Sequence, residues 1–365
     1  MNKRSDIMTK NEFTLLYAIR QNGMRSRTAF AEETGLSVST VSRLLGQFRD
    51  AGLTDENGIT EAGLAALAPY RVDNAVIMAA GLSSRFVPLS LEKPKGLLNV
   101  KGEILIERQI EQLHAAGVQK IVLILGYRNE DFLYLADKYE GITIVVNPLY
   151  DVKNNTYTLY CAKEHFGNSY ICSSDDYFAV NPFADHVYRS YYAAIHVTEP
   201  TNEWYMTPDE NGCIRSVTIG GTEGDIMLGH VYWDRAFSEA MLSILEADQS
   251  VGKYDQALWE TILKERVASL PPMEIKVYPD GSIFEFDSLD ELRAFDPRYV
   301  DDTQSRIIDE IAATLGVRAR DLNGFRPRKD GSGALSFTFR AKGTQYLWKR
   351  ENDRTDATVV PVEEA

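Results

Sequence analysis

The order of apolar and polar positions divides this chain into three stretches. Phe13, Leu15, Leu16 and Ile19 recur at helical spacing. A short helix then ends at Gly35, and a second helical stripe follows: Val41, Leu44, Leu45 and Phe48, with Ser37 or Ser39 placed to cap it. From residue 75 the period changes. The apolar runs Ala75–Ala80, Ile121–Leu125 and Ile142–Val146 read as buried strands. Between them Ile104, Ile106, Ile110 and Leu113 mark an amphipathic helix closed by Ala116-Gly117, and Phe132, Leu133 and Ala136 mark another. This βαβαβ alternation predicts a parallel sheet with ligands gathered at the C-terminal ends of its strands. Asn147 to Tyr160, and then the segment Tyr170 to Tyr177, continue that edge. Past Asp296-Pro297 a stripe of Ile307, Ile308, Ile311 and Leu315 closes at Gly316, and Leu335 to Trp348 alternates like a hairpin turning at Lys342-Gly343. The expected units are residues 1–71, 73–295 and 296–350, with a polar, disordered tail over 351–365.

Composition narrows the class. The chain has 365 residues, 44% of them hydrophobic, which suits packed cores in two or three domains. No apolar run approaches the ~18 residues of a membrane span, and no apolar segment of the secretory kind stands at the N-terminus. Cys161, Cys172 and Cys213 are odd in number and scattered, which suggests inert thiols in a reducing cytoplasm rather than a metal site. The net charge of −14 is uneven: residues 1–71 carry nine Lys/Arg against eight Asp/Glu, so the remainder carries −15. An acidic body repels nucleic acid, and any DNA contact falls to the first seventy residues.

The strongest chemical signal is Ala79-Ala-Gly-Leu-Ser-Ser-Arg-Phe-Val-Pro-Leu-Ser-Leu-Glu-Lys-Pro-Lys95. Small residues after a buried strand let the backbone approach a ligand, and free N–H groups beside Arg85 and Lys95 make a cradle for a polyphosphate. The stretch is neither a P-loop nor a dinucleotide fingerprint. It resembles the A-A-G-x-x-[ST]-R-x-x-P-x-[ST]-x-x-x-P-K signature of nucleotidyltransferases that join an NTP to a phosphorylated small molecule. Ser83 stands where that signature often has glycine.

Nucleotidyl transfer brings one anion onto another, so it needs basic side chains and a hard divalent cation held by carboxylates. Ser174-Asp175-Asp176 follows the apolar Tyr170-Ile-Cys172, and Ile283-Phe-Glu-Phe-Asp287 is an alternating strand ending in an acid. The plainer alternatives are a turn started by the Asp175-Asp176 pair and a helix cap at Asp287. Further stretches, Asn154-Asn-Thr-Tyr-Thr-Leu-Tyr160, Thr201-Asn-Glu-Trp204, Gly229-His-Val-Tyr-Trp-Asp234, Trp259-Glu260 and Phe284-Glu-Phe-Asp-Ser288, make residues 74–295 similar to the bacterial CTP:phosphocholine cytidylyltransferases. The resemblance implies a Rossmann-like α/β nucleotidyltransferase domain with a mixed, mostly parallel sheet. It implies Asp175 and Asp287 as Mg²⁺ ligands and Arg85 and Lys95 as catalytic phosphate contacts. Ala79, Ala80, Gly81, Ser83 and Ser84 would cradle the nucleotide, with Asn154, Asn155 and Thr158 around the pyrimidine. Ser173 stands where the family's usual D-x-D has its first acid.

A quaternary ammonium is held by aromatic faces and nearby carboxylates. Glu203, Trp204, Tyr232, Tyr254 and Trp259 are the candidates, while Trp233 reads as core. The reaction expected is CTP + phosphocholine → CDP-choline + pyrophosphate. The alternatives are the same chemistry on phosphoethanolamine, a phosphonoalkylamine or a sugar 1-phosphate, or a regulator that uses the domain as a ligand sensor.

The flanks carry weaker likenesses. With the turn Asn57-Gly58 and Ile59-Thr-Glu-Ala-Gly63, residues 1–71 resemble a winged helix-turn-helix whose face Ser39, Thr40, Ser42 and Arg43 would enter a major groove. Docking or homodimerisation is the competing use of such a unit. Residues 296–350 form a small α+β segment that faintly resembles the first lobe of choline kinases, and the chain stops before that family's catalytic Asp residues.

Overall fold

The computed structural model describes residues 8–328, 335–350 and 357–362. Near the N-terminus Thr9 and Glu12 close a capping box on the helix Lys10–Asn22, Ser26 caps Arg27–Thr34, and Ser37 caps Val38–Asp50. A hairpin pairs Thr54–Asp55 with Gly58–Ile59, and the helix Glu61–Leu67 follows. Phe13, Leu16, Ile19, Phe30, Val41, Leu44 and Phe48 form a separate small core. This unit is tied to the rest of the chain through its first helix. Tyr17 donates to Asp185 at 2.8 Å, Arg20 pairs with the same carboxylate at 2.7 Å, and the Phe13 ring packs on Tyr70 and Tyr188.

The central sheet has the strand order Ile214–Gly221, Thr201–Pro208, Gly224–Trp233, Ser169–Ser173, Asn74–Ala79, Ile121–Leu125, Ile142–Val146. Its last four strands are parallel, and the join between Gly224–Trp233 and Ser169–Ser173 is antiparallel. Tyr191–Val197 branches off Gly224–Trp233 and pairs in parallel with Glu274–Tyr278. The sheet is therefore mixed, with an all-parallel half. Asn74–Ala79 and Ile121–Leu125 are buried along their length because helices cover both faces, which is why they read as unbroken apolar runs. The helix Leu105–Ala115 packs Ile106, Ile110 and Leu113 into the core on one face. The expected helix around Phe132 is a 3₁₀ turn at Asn129–Phe132 followed by a short helix, Tyr134–Lys138.

The C-terminal part is built onto the phosphate loop. Phe86, Val87, Leu89, Leu98 and Leu105 share one core with Ile308, Ile311, Phe325, Phe337, Phe339 and Trp348. Glu92 accepts from the backbone N–H of Arg306 and from Ser305, the cap of the helix Arg306–Leu315. Strands Leu322–Arg328, Leu335–Ala341 and Thr344–Arg350 form an antiparallel sheet, with the turn at Lys342-Gly343 as expected. The disordered tail needs correction. Its segments 351–356 and 363–365 lie outside the described residues, but Thr358–Pro361 is a fourth strand of this sheet, with Val359 packed onto the shared core. Ala357 and Val359, two positions apart, give it a face to lay on that core.

Candidate active site

Two clefts meet at one ion cluster, the first at the C-terminal ends of the parallel strands Asn74–Ala79 and Ser169–Ser173 and the second against the antiparallel strands Thr201–Pro208 and Gly224–Trp233. The first, about 200 Å³, is lined by Ala79, Ala80, Gly81 and Ser83 from the loop, Lys95 and Gly96, Asn154, Asn155 and Thr158, and Ser173 to Asp175. The loop backbone turns at Ser83, whose φ of 46° lies in the left-handed region, which accounts for glycine at this place in the signature. Gly96 is needed for a close approach: a Cβ there would fall 2.8 Å from Ser174 Oγ. Asn154 caps the helix Asn155–Cys161, and Thr158 accepts from Asn147 at 3.0 Å. Asn155 Oδ1 is taken by the backbone N–H of Trp259. Ser84 lines neither cleft.

Lys95 lies beneath the junction, with its side chain only 5% exposed. Its Nζ is 2.8 Å from Asp175 Oδ2 and 4.0 Å from Asp287 Oδ1, and Arg85 reaches Asp287 at 2.5 Å. Residues far apart in sequence, at the ends of a loop, a strand and a C-terminal turn, thus share one cluster. Burial alone would raise the Asp175 carboxyl, but Lys95 outweighs it and holds Asp175 below the ordinary carboxylate value. Burial works against the Lys95 ammonium as well, and the charges of Asp175 and Glu285 hold its pKa above the ordinary lysine value. Desolvation in the cleft, and then the charge of Asp175, push Glu285 up to about 7; the solvent-open face of its side chain tempers that rise. Asp176 turns inward, and burial followed by Glu285 and Asp175 drives its carboxyl well above the ordinary range.

The hard oxygen donors of Asp175 and Asp287, brought together around Lys95, suit Mg²⁺. Among the described residues no cluster of three or more metal-ligating side chains occurs, so the remaining ligands would be phosphate oxygens and water.

The second cleft, about 350 Å³, lies on the other side of Asp287. It is lined by Ile195, Ile226, Met227, Leu228, Ile283 and Phe284, with Glu203, Glu285 and Glu291 among them and Arg85 at its edge. Of the five residues expected to hold a choline group, the structure brings only Glu203 here. Trp204, next along the same strand, points to the opposite face and packs half-buried against the core around Trp233, with Lys264 over its ring. Trp259 is buried, stacked on Tyr192 at 5.7 Å and edge-on to Trp233 at 5.1 Å. Tyr254 is buried in that core with its hydroxyl bonded to Glu265. Tyr232 faces the other core across the sheet, because neighbours along a strand point to opposite sides. The expected aromatic cage is therefore not assembled. These rings bury large apolar areas instead, as Trp233 also does.

Sequence reasoning passed over Glu285 and, in the first cleft, Phe132, Tyr150 and Lys153. Glu285 stands two residues from Asp287, the spacing that puts side chains on one face of extended chain, so alternation alone would have singled it out. Tyr150 and Lys153 sit on a turn with no periodic signal.

The chain matches the family model of the MobA-like NTP transferase domain over residues 75–208. It is 33% identical to the choline-phosphate cytidylyltransferase of Streptococcus pneumoniae over 219 residues, covering 60% of this chain and 95% of that protein. It is 32% identical to the 2-aminoethylphosphonate cytidylyltransferase of Lancefieldella rimae, covering 62% of this chain and 93% of that one. The solved structure of the CTP:phosphocholine cytidylyltransferase from Streptococcus pneumoniae superposes with a TM-score of 0.59 at 33% identity, over 61% of this chain and 97% of that one.

Proposed function

The chain belongs to the nucleotidyltransferase family of the choline-phosphate cytidylyltransferases, and on that premise we propose that it transfers the cytidylyl group of CTP to phosphocholine, forming CDP-choline and releasing pyrophosphate. The observation that carries this reading is the meeting of two clefts at Lys95, Asp175 and Asp287. CTP would lie in the first cleft, with its phosphates over the Ala79–Ser83 loop. The acceptor would lie in the second, with its phosphate at the junction. In-line attack on the α-phosphorus then runs from one cleft to the other.

Lys95 neutralises the transferring phosphoryl group, and Arg85 stands at the acceptor side of the junction. Asp175 and Asp287 would hold Mg²⁺, which supplies further neutralisation of phosphate charge when bound. The acceptor cleft suits a trimethylammonium group in two ways. Ile195, Ile226, Met227, Ile283 and Phe284 offer apolar surface to its methyls, and Glu203, Glu285 and Glu291 answer its charge. Pyrophosphate release measured over a grid of NTPs and phosphorylated amines tests the reading. CTP with phosphocholine should give the highest kcat/KM.

A second acceptor has a specific observation in its favour. With no aromatic cage and several carboxylates in the cleft, a primary ammonium that donates hydrogen bonds is also served, as on 2-aminoethylphosphonate. The same grid separates the two.

The reading also assigns the enzyme to the cytoplasm and a DNA-binding role to residues 1–71. No helix among the described residues is long and apolar enough to cross a membrane. DNA binding is supported by the helix Val38–Asp50, whose buried residues all pack within its own unit while Ser39 and Arg43 stay exposed. Thr40 and Ser42 are half-buried at the rim of that face.

A further inference from the structure

We propose that Gln109 is a positioning residue that sets the metal affinity of Asp175, an inference that rests on the reading of Asp175 as a Mg²⁺ ligand. Gln109 occupies the buried stripe of the helix Leu105–Ala115, between Ile106 and Ile110, and its side chain is fully enclosed. An apolar residue would fill that place without the cost of burying an amide. The amide is engaged in a specific way. Its Nε2 donates to the carbonyl of Ser173 at 2.8 Å and to the carbonyl of Asp176 at 2.9 Å. Those two carbonyls bracket Ser174-Asp175, so one side chain pins the turn at both ends and fixes the backbone from which the Asp175 carboxylate projects towards Lys95.

The neighbours of Gln109 extend the same support. Arg108 donates to the carbonyls of Phe178 and Ala179 with its guanidinium 4.6 Å from the Tyr177 ring, and Gln112 donates to Phe178 at 3.0 Å. Of these three side chains, it is Gln109 that bonds to the turn carrying the carboxylate. Among the described residues its Oε1 has no partner, so the two bonds that Nε2 donates to the turn are what offsets the burial of this amide. Groups that orient a metal ligand through hydrogen bonds typically change affinity about 10–100-fold when removed.

The test is Mn²⁺ binding to the full chain by electron paramagnetic resonance, without turnover. The wild type should bind one Mn²⁺ and Asp175→Ala should lose it. Should both bind alike, the metal reading fails and the proposal with it. Given that difference, Gln109→Met, which keeps volume and removes the donor, should weaken Mn²⁺ about tenfold, and the Mg²⁺ concentration for half-maximal turnover should rise in step. Gln112→Met should stay within about twofold. Gln109→Asn, one methylene too short to span both carbonyls, gives the same reading should Gln109→Met fail to fold. The proposal is overturned if the Gln109 variants bind Mn²⁺ like wild type while Asp175→Ala does not, or if Gln112→Met weakens binding equally.

Discussion

Lys95 donates to Asp175 at 2.8 Å from a side chain almost closed to solvent, while Asp175 keeps an open face towards the first cleft. The pair is asymmetric by design of the fold: the cation is buried and fixed, and the anion is presented. A buried ammonium is tolerated only beside its counter-charge, so each partner holds the other in its ionised form.

Lys95→Ala should therefore lower kcat by about a hundredfold or more, the scale of losing a donor aimed at developing charge. Steady-state kinetics alongside a melting curve decide it. Intact kinetics with a lowered melting temperature would reduce Lys95 to a structural counter-ion.

Asp175→Asn keeps the shape of the side chain and removes its charge. Turnover should fall by two to four orders of magnitude, about 3–5 kcal/mol of transition-state stabilisation. Chelation of divalent ions should abolish wild-type activity, and added Mg²⁺ should restore it. Near-normal turnover in Asp175→Asn sinks the assignment.

The acceptor cleft and the buried rings make opposite predictions. Glu203→Gln should raise KM for phosphocholine several-fold and leave KM for CTP unchanged, since Glu203 lines only the acceptor side. Trp259→Ala should act on stability, costing about 3–5 kcal/mol for an emptied core site. Denaturant unfolding and acceptor titrations read the two separately. Loss of phosphocholine affinity in Trp259→Ala at unchanged stability would return that ring to the site.

Glu260 gives a pH prediction. Burial pushes its carboxyl up to about 7; Tyr192 bonds one oxygen, and the other has no partner among the described residues. A folded-state value above the unfolded one means the folded protein holds the proton more tightly. Its contribution to stability is therefore greatest at low pH and is lost as pH rises from about 4.5 through about 7. Glu260→Gln should flatten that decline and raise stability at pH 8 by on the order of 1–3 kcal/mol. Unfolding curves for both proteins at pH 5 and pH 8 check it; an equal decline in the two refutes it.

DNA binding is read on the full chain, with a pool of random duplexes. A specific sequence should be enriched, binding should weaken steeply with salt, and Arg43→Ala should weaken it further. Enrichment of no sequence would favour the docking use of residues 1–71.

Much of this protein was legible before folding, because local chemistry declares itself locally. The apolar runs at Ala75–Ala80 and Ile121–Leu125 had to be strands buried on both sides, whereas Ile142–Val146, a strand as expected, lies at the sheet edge and is only half-buried. The small residues from Ala79 to Gly81 had to make a close-approach loop, and Lys95 and Asp175, singled out in the sequence, line the same cleft as that loop. The tertiary structure decided what depends on facing. Alternation along one strand sends Glu203 into a cleft and Trp204 into the core, and sequence alone does not say which side a cleft will occupy. It also decided that a core shared by Phe86 and Trp348 would brace the phosphate loop, and that Gln109, polar on an apolar stripe, would meet the turn carrying Asp175. Such pairings join segments distant in the chain, and their energies come from burial and hydrogen bonds that exist only once the layers have packed.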